Sequence, residues 1–338
     1  MKILVTGGTG YIGSHTAVEL LNAGYDVVIT DNLVNSKKVV LDRIYEITGK
    51  RVPFYQSDIT DRAAMDRIFE EHKIDAVINF AGLKAVGESV EIPLDYYRNN
   101  VTGMLVLLDS MKAHGCFNLV FSSSATVYGV PKTVPLKENF PLSVTNPYGR
   151  TKLFIEGILG DLYRSDSRWN IGILRYFNPI GAHESGKIGE DPNGIPNNLA
   201  PYILKVIGGK LPFVHVYGND YPTPDGTGVR DYIHVVDLAK GHVLAMKKLF
   251  SGSGLYIVNL GTGRGYSVLE LIAAFSKAAG KEIPYKIEGR RSGDVAECYA
   301  DPSYAKEFLG FTAELTLDDM CRDSVRWQKN NPDGYPEA

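Results

Sequence analysis

The sequence predicts an α/β fold in which a doubly wound parallel sheet is followed by a smaller C-terminal α/β lobe. Three observations lead there. Short apolar runs rich in β-branched residues recur through the first half of the chain, stretches with helical spacing lie between them, and beyond about Asn178 the texture changes to Gly- and Pro-rich loops separating helical segments. Strand and helix in strict alternation make a parallel sheet covered on both faces.

The apolar runs fall at 3–5, 27–30, 52–55, 76–79, 119–122 and 171–174, and each reads as a buried strand. Between them, Ala17, Leu20 and Leu21, and later Met104, Leu105, Leu108 and Met111, repeat at the spacing of one helix face. In the second half, "NPIGAHESGKIGEDPNGIPNN" and "GNDYPTPDGTG" read as loops, with helices near 197–208, 235–248, 267–279 and 316–329. The expected division is a first domain over 1–177 and a second over 178–338, with the chain crossing back near 230–260.

Strand 3–5 runs into "TGGTGYIG", which places Gly7, Gly10 and Gly13 in a G-x-x-G-x-x-G spacing before a helix. Glycine allows the tight turn and close backbone approach, and the helix N-terminus offers free N–H groups and a positive dipole to a pyrophosphate. A Rossmann-type dinucleotide site follows from that context. Asp31, at the end of the second strand, is placed to accept from an adenosine ribose and to repel a 2′-phosphate, which favours NAD over NADP; the alternative is that it caps the turn before Asn32. Asp58, after the third strand, either contacts adenine or caps the helix that begins near Asp61.

"NPYGRTK" supplies the chemistry. With Pro147 in the first turn of a helix, Tyr148 and Lys152 share one face at i and i+4. An ammonium beside a phenol favours phenolate, and a phenolate next to a nicotinamide is a base for an alcohol being oxidised. The alternative is a surface pair in which the lysine stem passes the ring.

The whole chain narrows the classes further. It has 338 residues, 44% hydrophobic, with 36 Lys and Arg against 39 Asp and Glu and a formal net charge of −3, so no general field attracts nucleic acid or anionic lipid. Cys116, Cys298 and Cys321 lie far apart with no Cys-x-x-Cys pair, which points to a reducing compartment and no structural metal. The apolar run in "MKILVTGG" is too short for a signal peptide, and nowhere do about 18 apolar residues run together. A cytoplasmic enzyme without membrane or nucleic-acid partners is expected.

"TGGTGYIG", "FAGLKAVGES", "SSSATVYG" and "YGRTK" resemble the extended short-chain dehydrogenase/reductase family. "LRYFNP", "GEDP", "GIPNN", "DGTGVRDYIHV" and "VNLGTG" are similar to its branch that epimerises UDP-hexoses at C4, and the likeness runs from Met1 to about Pro332. Arg150 and Thr151 depart from the pattern at positions that are not catalytic.

The resemblance implies bound NAD. Its contacts would be Tyr11 and Ile12 with the three glycines; Asp31, Asn32, Asn35 and Ser36; Asp58 and Ile59; Phe80, Ala81, Gly82 and Lys84; and Asn99, Ser122, Tyr148, Lys152 and Phe177. It implies a UDP-hexose whose sugar meets Lys84, Ser124, Ala125, Thr126, Tyr148 and Phe177. The rest of the substrate would meet Asn178, Asn198, Leu199, His215, Val216, Tyr217, Arg230, Tyr232, Arg291, Asp294 and Cys298. Arginine forks suit diphosphate oxygens, although Arg230 and Arg291 can equally serve in structural salt bridges.

The implied reaction interconverts UDP-galactose and UDP-glucose. Tyr148, with Ser124 and Lys152, takes the 4-hydroxyl proton as C4 is oxidised; the 4-keto sugar turns its other face and is reduced again. The nearest rival, a nucleotide-sugar 4,6-dehydratase, has an Asp-Glu pair where this chain has Ala125 and Thr126. A non-catalytic NAD-binding sensor would have no need of Ser124, Tyr148 and Lys152 together. Cys298 is small where some epimerases carry a bulky tyrosine, which extends the expected substrates to the UDP-N-acetylhexosamine pair; Tyr299 would reverse this if the register slipped by one residue. A homodimer is expected through helices around 101–111 and 153–162, whose apolar positions buried core would also explain.

Overall fold

The computed structural model describes residues 1–291 and 293–336. Six strands alternate with helices in the first half: β1 Lys2–Thr6, β2 Asp26–Asp31, β3 Phe54–Gln56, β4 Ala76–Asn79, β5 Asn118–Ser124 and β6 Asn170–Tyr176. A seventh, Leu255–Leu260, returns from the second half to pair with β6. All seven are parallel, and from that edge inward the order is Leu255–Leu260, β6, β5, β4, β1, β2, β3. The order reverses between β1 and β4, and ligands of such sheets bind beyond the carboxyl ends of the strands at that point.

The strands read as unbroken apolar runs because both faces are buried. Ile3 and Val5 point into one apolar layer with Leu20 and Leu260, whereas Leu4 points into the other with Met65 and Phe121. Val77 and Ile78 divide in the same way. The third strand lies slightly later than the expected 52–55, and the backbone carbonyl of Pro53 instead accepts from Ile29 N–H.

In the second half, Val229–His234 pairs with Asn178–Ile180, Gly265–Ser267 and Glu297–Cys298. A separate parallel pair joins Val214–Tyr217 to Tyr285–Glu288. Helices Leu199–Ile207, Val268–Ala279 and Leu317–Asn330 close over them around Ile203, Phe275 and Met320. Capping boxes start the last two, Ser267 with Glu270 and Thr316 with Asp319. Helix Val235–Phe250 crosses back to lie against the helix Tyr11–Asn22. No described helix is long and apolar enough to cross a membrane.

Candidate active site

A cleft of about 330 Å³ opens at the carboxyl ends of β1, β2, β4, β5 and β6. Its floor is the glycine loop. Gly7 has φ +67° and a Cβ there would lie 2.8 Å from Ala81 N; a Cβ on Gly13 would lie 2.2 Å from the Gly7 carbonyl oxygen. The loop is therefore packed against both its own turn and the end of β4. The helix Tyr11–Asn22 begins at Gly10 with no side-chain cap and no acidic residue in its first turn, so its N–H groups and dipole face the cleft uncompensated. That cradle fits a dinucleotide pyrophosphate.

Most of the residues expected to hold a cofactor converge here. Tyr11, Ile12, Asp31, Asn32, Asn35, Ser36, Asp58 and Ile59 line the cleft, as do Phe80, Ala81, Gly82, Lys84, Asn99, Ser122, Tyr148 and Lys152. Phe177 does not; its ring packs with Val127, Leu136 and Ala300. Asp31 caps the turn that follows it, the alternative weighed above, and still faces the cleft. Its carboxylate accepts from Thr9 N (3.1 Å), Leu33 N (2.9 Å) and Ser36 Oγ (2.9 Å), which leaves one of about four lone-pair positions for a ribose hydroxyl. Asp58 does not cap the following helix. Asp61 does so, accepting from Ala64 N, while Asp58 accepts from Thr60 and from Asn32 Nδ2 at 2.8 Å.

Tyr148 and Lys152 lie on helix Pro147–Ser165, opened by Pro147 at its first turn and capped by Asn146, which accepts from Gly149 N at 2.8 Å. The ammonium donates to the Ser122 carbonyl at 2.7 Å and stands 5.8 Å from the centre of the Tyr148 ring. Burial pushes the Tyr148 phenol up to about 12, opposed by the Ser124 hydroxyl, and pushes the Lys152 ammonium down to about 8, opposed by Glu156. The ammonium does not lower the phenol, contrary to the expectation from spacing; it is turned onto the Ser122 carbonyl.

Sequence reasoning missed the frame beneath this pair. Glu156, one turn beyond Lys152, accepts from Ser123 Oγ at 2.5 Å and from Arg175 Nη2 at 2.7 Å; Arg175, fully buried, also donates to Tyr128 OH at 2.9 Å. Asn100 ties the loop after β4 to the same helix, accepting from Leu83 N at 2.8 Å and donating to Thr151 Oγ1 at 3.1 Å. Tyr176 lines the cleft with its hydroxyl on His242. Although Ser123, Tyr128, Arg175 and Tyr176 lie inside motifs quoted above, nothing in their spacing says that they join into one buried network.

The residues expected around a nucleotide sugar fall into three groups. Strand pairing sets Asn178 beside Tyr232 and Arg230 beside Cys298. Cys298 packs against the apolar cluster that holds Leu136, Phe177 and Ala300, whereas the Tyr299 ring lies on the other side, within 3.1 Å of where a Cβ on Gly265 would be. Asn198 and Leu199 open helix Leu199–Ile207, again without a side-chain cap. His215 and Tyr217 share one face of their strand, with Arg291 over the Tyr217 ring and paired to Asp294 at 2.9 Å. Val216 is a correction: its side chain is buried among Phe275 and Ile203, so only its backbone is available to a ligand. Tyr232 is likewise buried in that layer. Arg230 pairs with no carboxylate among the described residues and donates to the Val229 carbonyl.

A seven-stranded doubly wound sheet with a glycine cradle and a Tyr-x-x-x-Lys helix on one cleft defines an extended short-chain dehydrogenase/reductase. The family profile described as GDP-mannose 4,6 dehydratase matches residues 4–324. The chain is 61% identical over 338 residues to UDP-glucose 4-epimerase of Bacillus subtilis (strain 168), covering 100% of both. It is 60% identical to that of Mus musculus, covering 99% of this chain and 98% of the other. The crystal structure of UDP-glucose 4-epimerase from Bifidobacterium longum in complex with NAD+ and UDP superposes with a TM-score of 0.95 at 57% identity, covering 99% of this chain and 100% of that one. The chain belongs to the UDP-glucose 4-epimerase family.

Proposed function

We propose that the protein interconverts UDP-galactose and UDP-glucose by transient oxidation at C4. The observation that carries this reading is Tyr148 and Lys152 together in the dinucleotide cleft, with the Ser124 hydroxyl at the phenol, on a chain related along its full length to enzymes of that name. Inversion at a carbon with no acidic C–H has no practical deprotonation route, so the stereocentre must be removed by oxidation.

NAD+ held in this cleft supplies a cationic two-electron acceptor that becomes the donor in the second half of the cycle. Tyr148 takes the 4-hydroxyl proton and later returns it. The Ser124 hydroxyl favours its ionised form against burial. Lys152 adds positive charge and fixes the Ser122 backbone at the end of β5. Asn178, Arg230 and Arg291, with the helix N-terminus at Asn198 and Leu199, would hold a UDP diphosphate while the sugar turns, a reading supported by the lack of a side-chain cap there. Binding energy is then remote from the reacting carbon.

The dehydratase reading finds no support at the positions that matter, because Ala125 and Thr126 offer no acid or base to eliminate water. The small Cys298, packed against the cluster that holds Phe177, supports acceptance of the N-acetylated pair as well. We take 1–177 as the cofactor domain and 178–338 as mainly the UDP-sugar domain, place the enzyme in the cytoplasm, and read it as a homodimer, supported by Leu105 and Phe154 exposed on the two helices expected to meet. Incubating the purified protein with each of four UDP-hexoses, without added NAD, tests the function. Paired 4-epimers should appear; no turnover, or a 4-keto-6-deoxy product, would overturn it.

A further inference from the structure

The dinucleotide cleft is bounded on one side by a segment from the second half of the chain. Gly189, Glu190, Asp191 and Pro192 line it together with Lys37 and Tyr335, and the chemistry above uses none of them. Asp191 is the centre of this group. Its carboxylate, 9% exposed, accepts from Tyr335 N at 2.8 Å and lies 3.4 Å from Lys37 Nζ. Lys37 also donates to the Tyr335 carbonyl at 3.0 Å. The Tyr335 hydroxyl accepts from Gly189 N at 3.1 Å, and its ring packs 4.6 Å from that of Trp327.

The turn before Tyr335 is built around the same carboxylate. Gly334 has φ +83°, and a Cβ there would strike Asp191 oxygens at 2.4 Å and 2.5 Å. Two residues on, Asn193 donates from Nδ2 to the Val34 carbonyl at 2.9 Å and from its backbone to Asn35 Oδ1 at 3.3 Å. Three stretches distant in sequence are thus tied across the loop after β2 that carries Asp31, Asn35 and Ser36.

We propose that this clasp, centred on Asp191, is what keeps NAD in the cleft between turnovers. The proposal rests on the reading that the cleft holds NAD. A cofactor returned to its starting state in every cycle has no need to exchange, and a contact set spanning both halves of the chain must open before a ligand beneath it can leave. The contacts differ in weight. Losing a partner of the nearly buried Asp191 leaves a polar group unsatisfied, whereas the partly exposed Lys37 pair is screened by salt.

The test uses the intact protein and its Asp191→Ala, Lys37→Ala and Asn193→Ala variants, purified without added cofactor. Dinucleotide per subunit is measured after denaturation, and release is followed as exchange into excess isotopically labelled NAD. Asp191→Ala should release NAD roughly 10- to 100-fold faster than the parent, and Lys37→Ala by about 2- to 5-fold, less at high salt. Should Asp191→Ala fail to fold, the other two, which alter exposed contacts, still decide the matter. Exchange at the parental rate in the folded variants would overturn the clasp. A parent protein that itself emerges without dinucleotide overturns the clasp together with the reading beneath it.

Discussion

The Lys152 ammonium stands 5.8 Å from the centre of the Tyr148 ring while its hydrogen bond goes to the Ser122 carbonyl at 2.7 Å. The two side chains share a helix face, as a four-residue spacing demands, yet the lysine holds the strand end and not the phenol. Ser124, two residues further along that strand, is the group that lowers the phenol directly.

Replacing Tyr148 with phenylalanine removes the proton acceptor and leaves the cleft otherwise unchanged. Epimerisation should fall on the order of 10²–10⁴-fold while NAD content and UDP-sugar affinity stay near those of the parent. Near-normal turnover in Tyr148→Phe would remove the tyrosine from its role.

The pH profile reports on Lys152. Burial lowers its ammonium to about 8 and raises the Tyr148 phenol to about 12. Tyr148 is needed ionised and Lys152 charged, so activity should climb with pH and level off above about pH 8, where each further gain in phenolate is cancelled by loss of the lysine proton. In Lys152→Met the plateau should vanish and a slower rate should continue upward into alkali, displacing the optimum to higher pH. Identical profiles for the two proteins would show that the charge does not matter.

Cys298→Tyr places a ring against the cluster that holds Phe177. Turnover of the UDP-N-acetylhexosamine pair should be abolished by steric exclusion and that of UDP-galactose spared. Equal loss on both pairs, or no loss on either, counts against the pocket assignment.

Two buried imidazoles predict acid sensitivity. Burial lowers His15 from 6.5 to about 3 and His242 from 6.5 to about 4, so both are neutral in the fold and protonate more readily in the unfolded chain. Their contribution is complete above pH 6.5 and is lost as pH falls through 6.5 toward 4, by about 1.4 kcal/mol per pH unit for each once the unfolded chain is protonated. Denaturant midpoints at pH 7 and at pH 5 measure this, and His242→Gln should reduce the difference between them. Equal midpoints for the parent at both values would refute it.

Much of the cofactor half was legible because its signals are local. Apolar runs buried on both faces, a glycine spacing between a strand and a helix, and a proline-opened helix that puts Tyr148 and Lys152 on one face all follow from backbone geometry within a few residues. What the linear pattern left open was every choice set by distant partners. Whether Cys298 or Tyr299 faces the cluster around Phe177 hangs on a two-residue strand, where a slip of one residue exchanges the faces, and pairing of Cys298 with Arg230 decides it. The return of Leu255–Leu260 to the edge beside β6 and the burial of Val216 away from its neighbours His215 and Tyr217 are likewise decided by packing. So is the meeting of Lys37, Asp191 and Tyr335 over the cleft. Contacts of this kind leave no periodic trace in the chain, since each partner alone is an ordinary surface residue or turn, and the close approach that gives them meaning exists once the two halves have closed on each other.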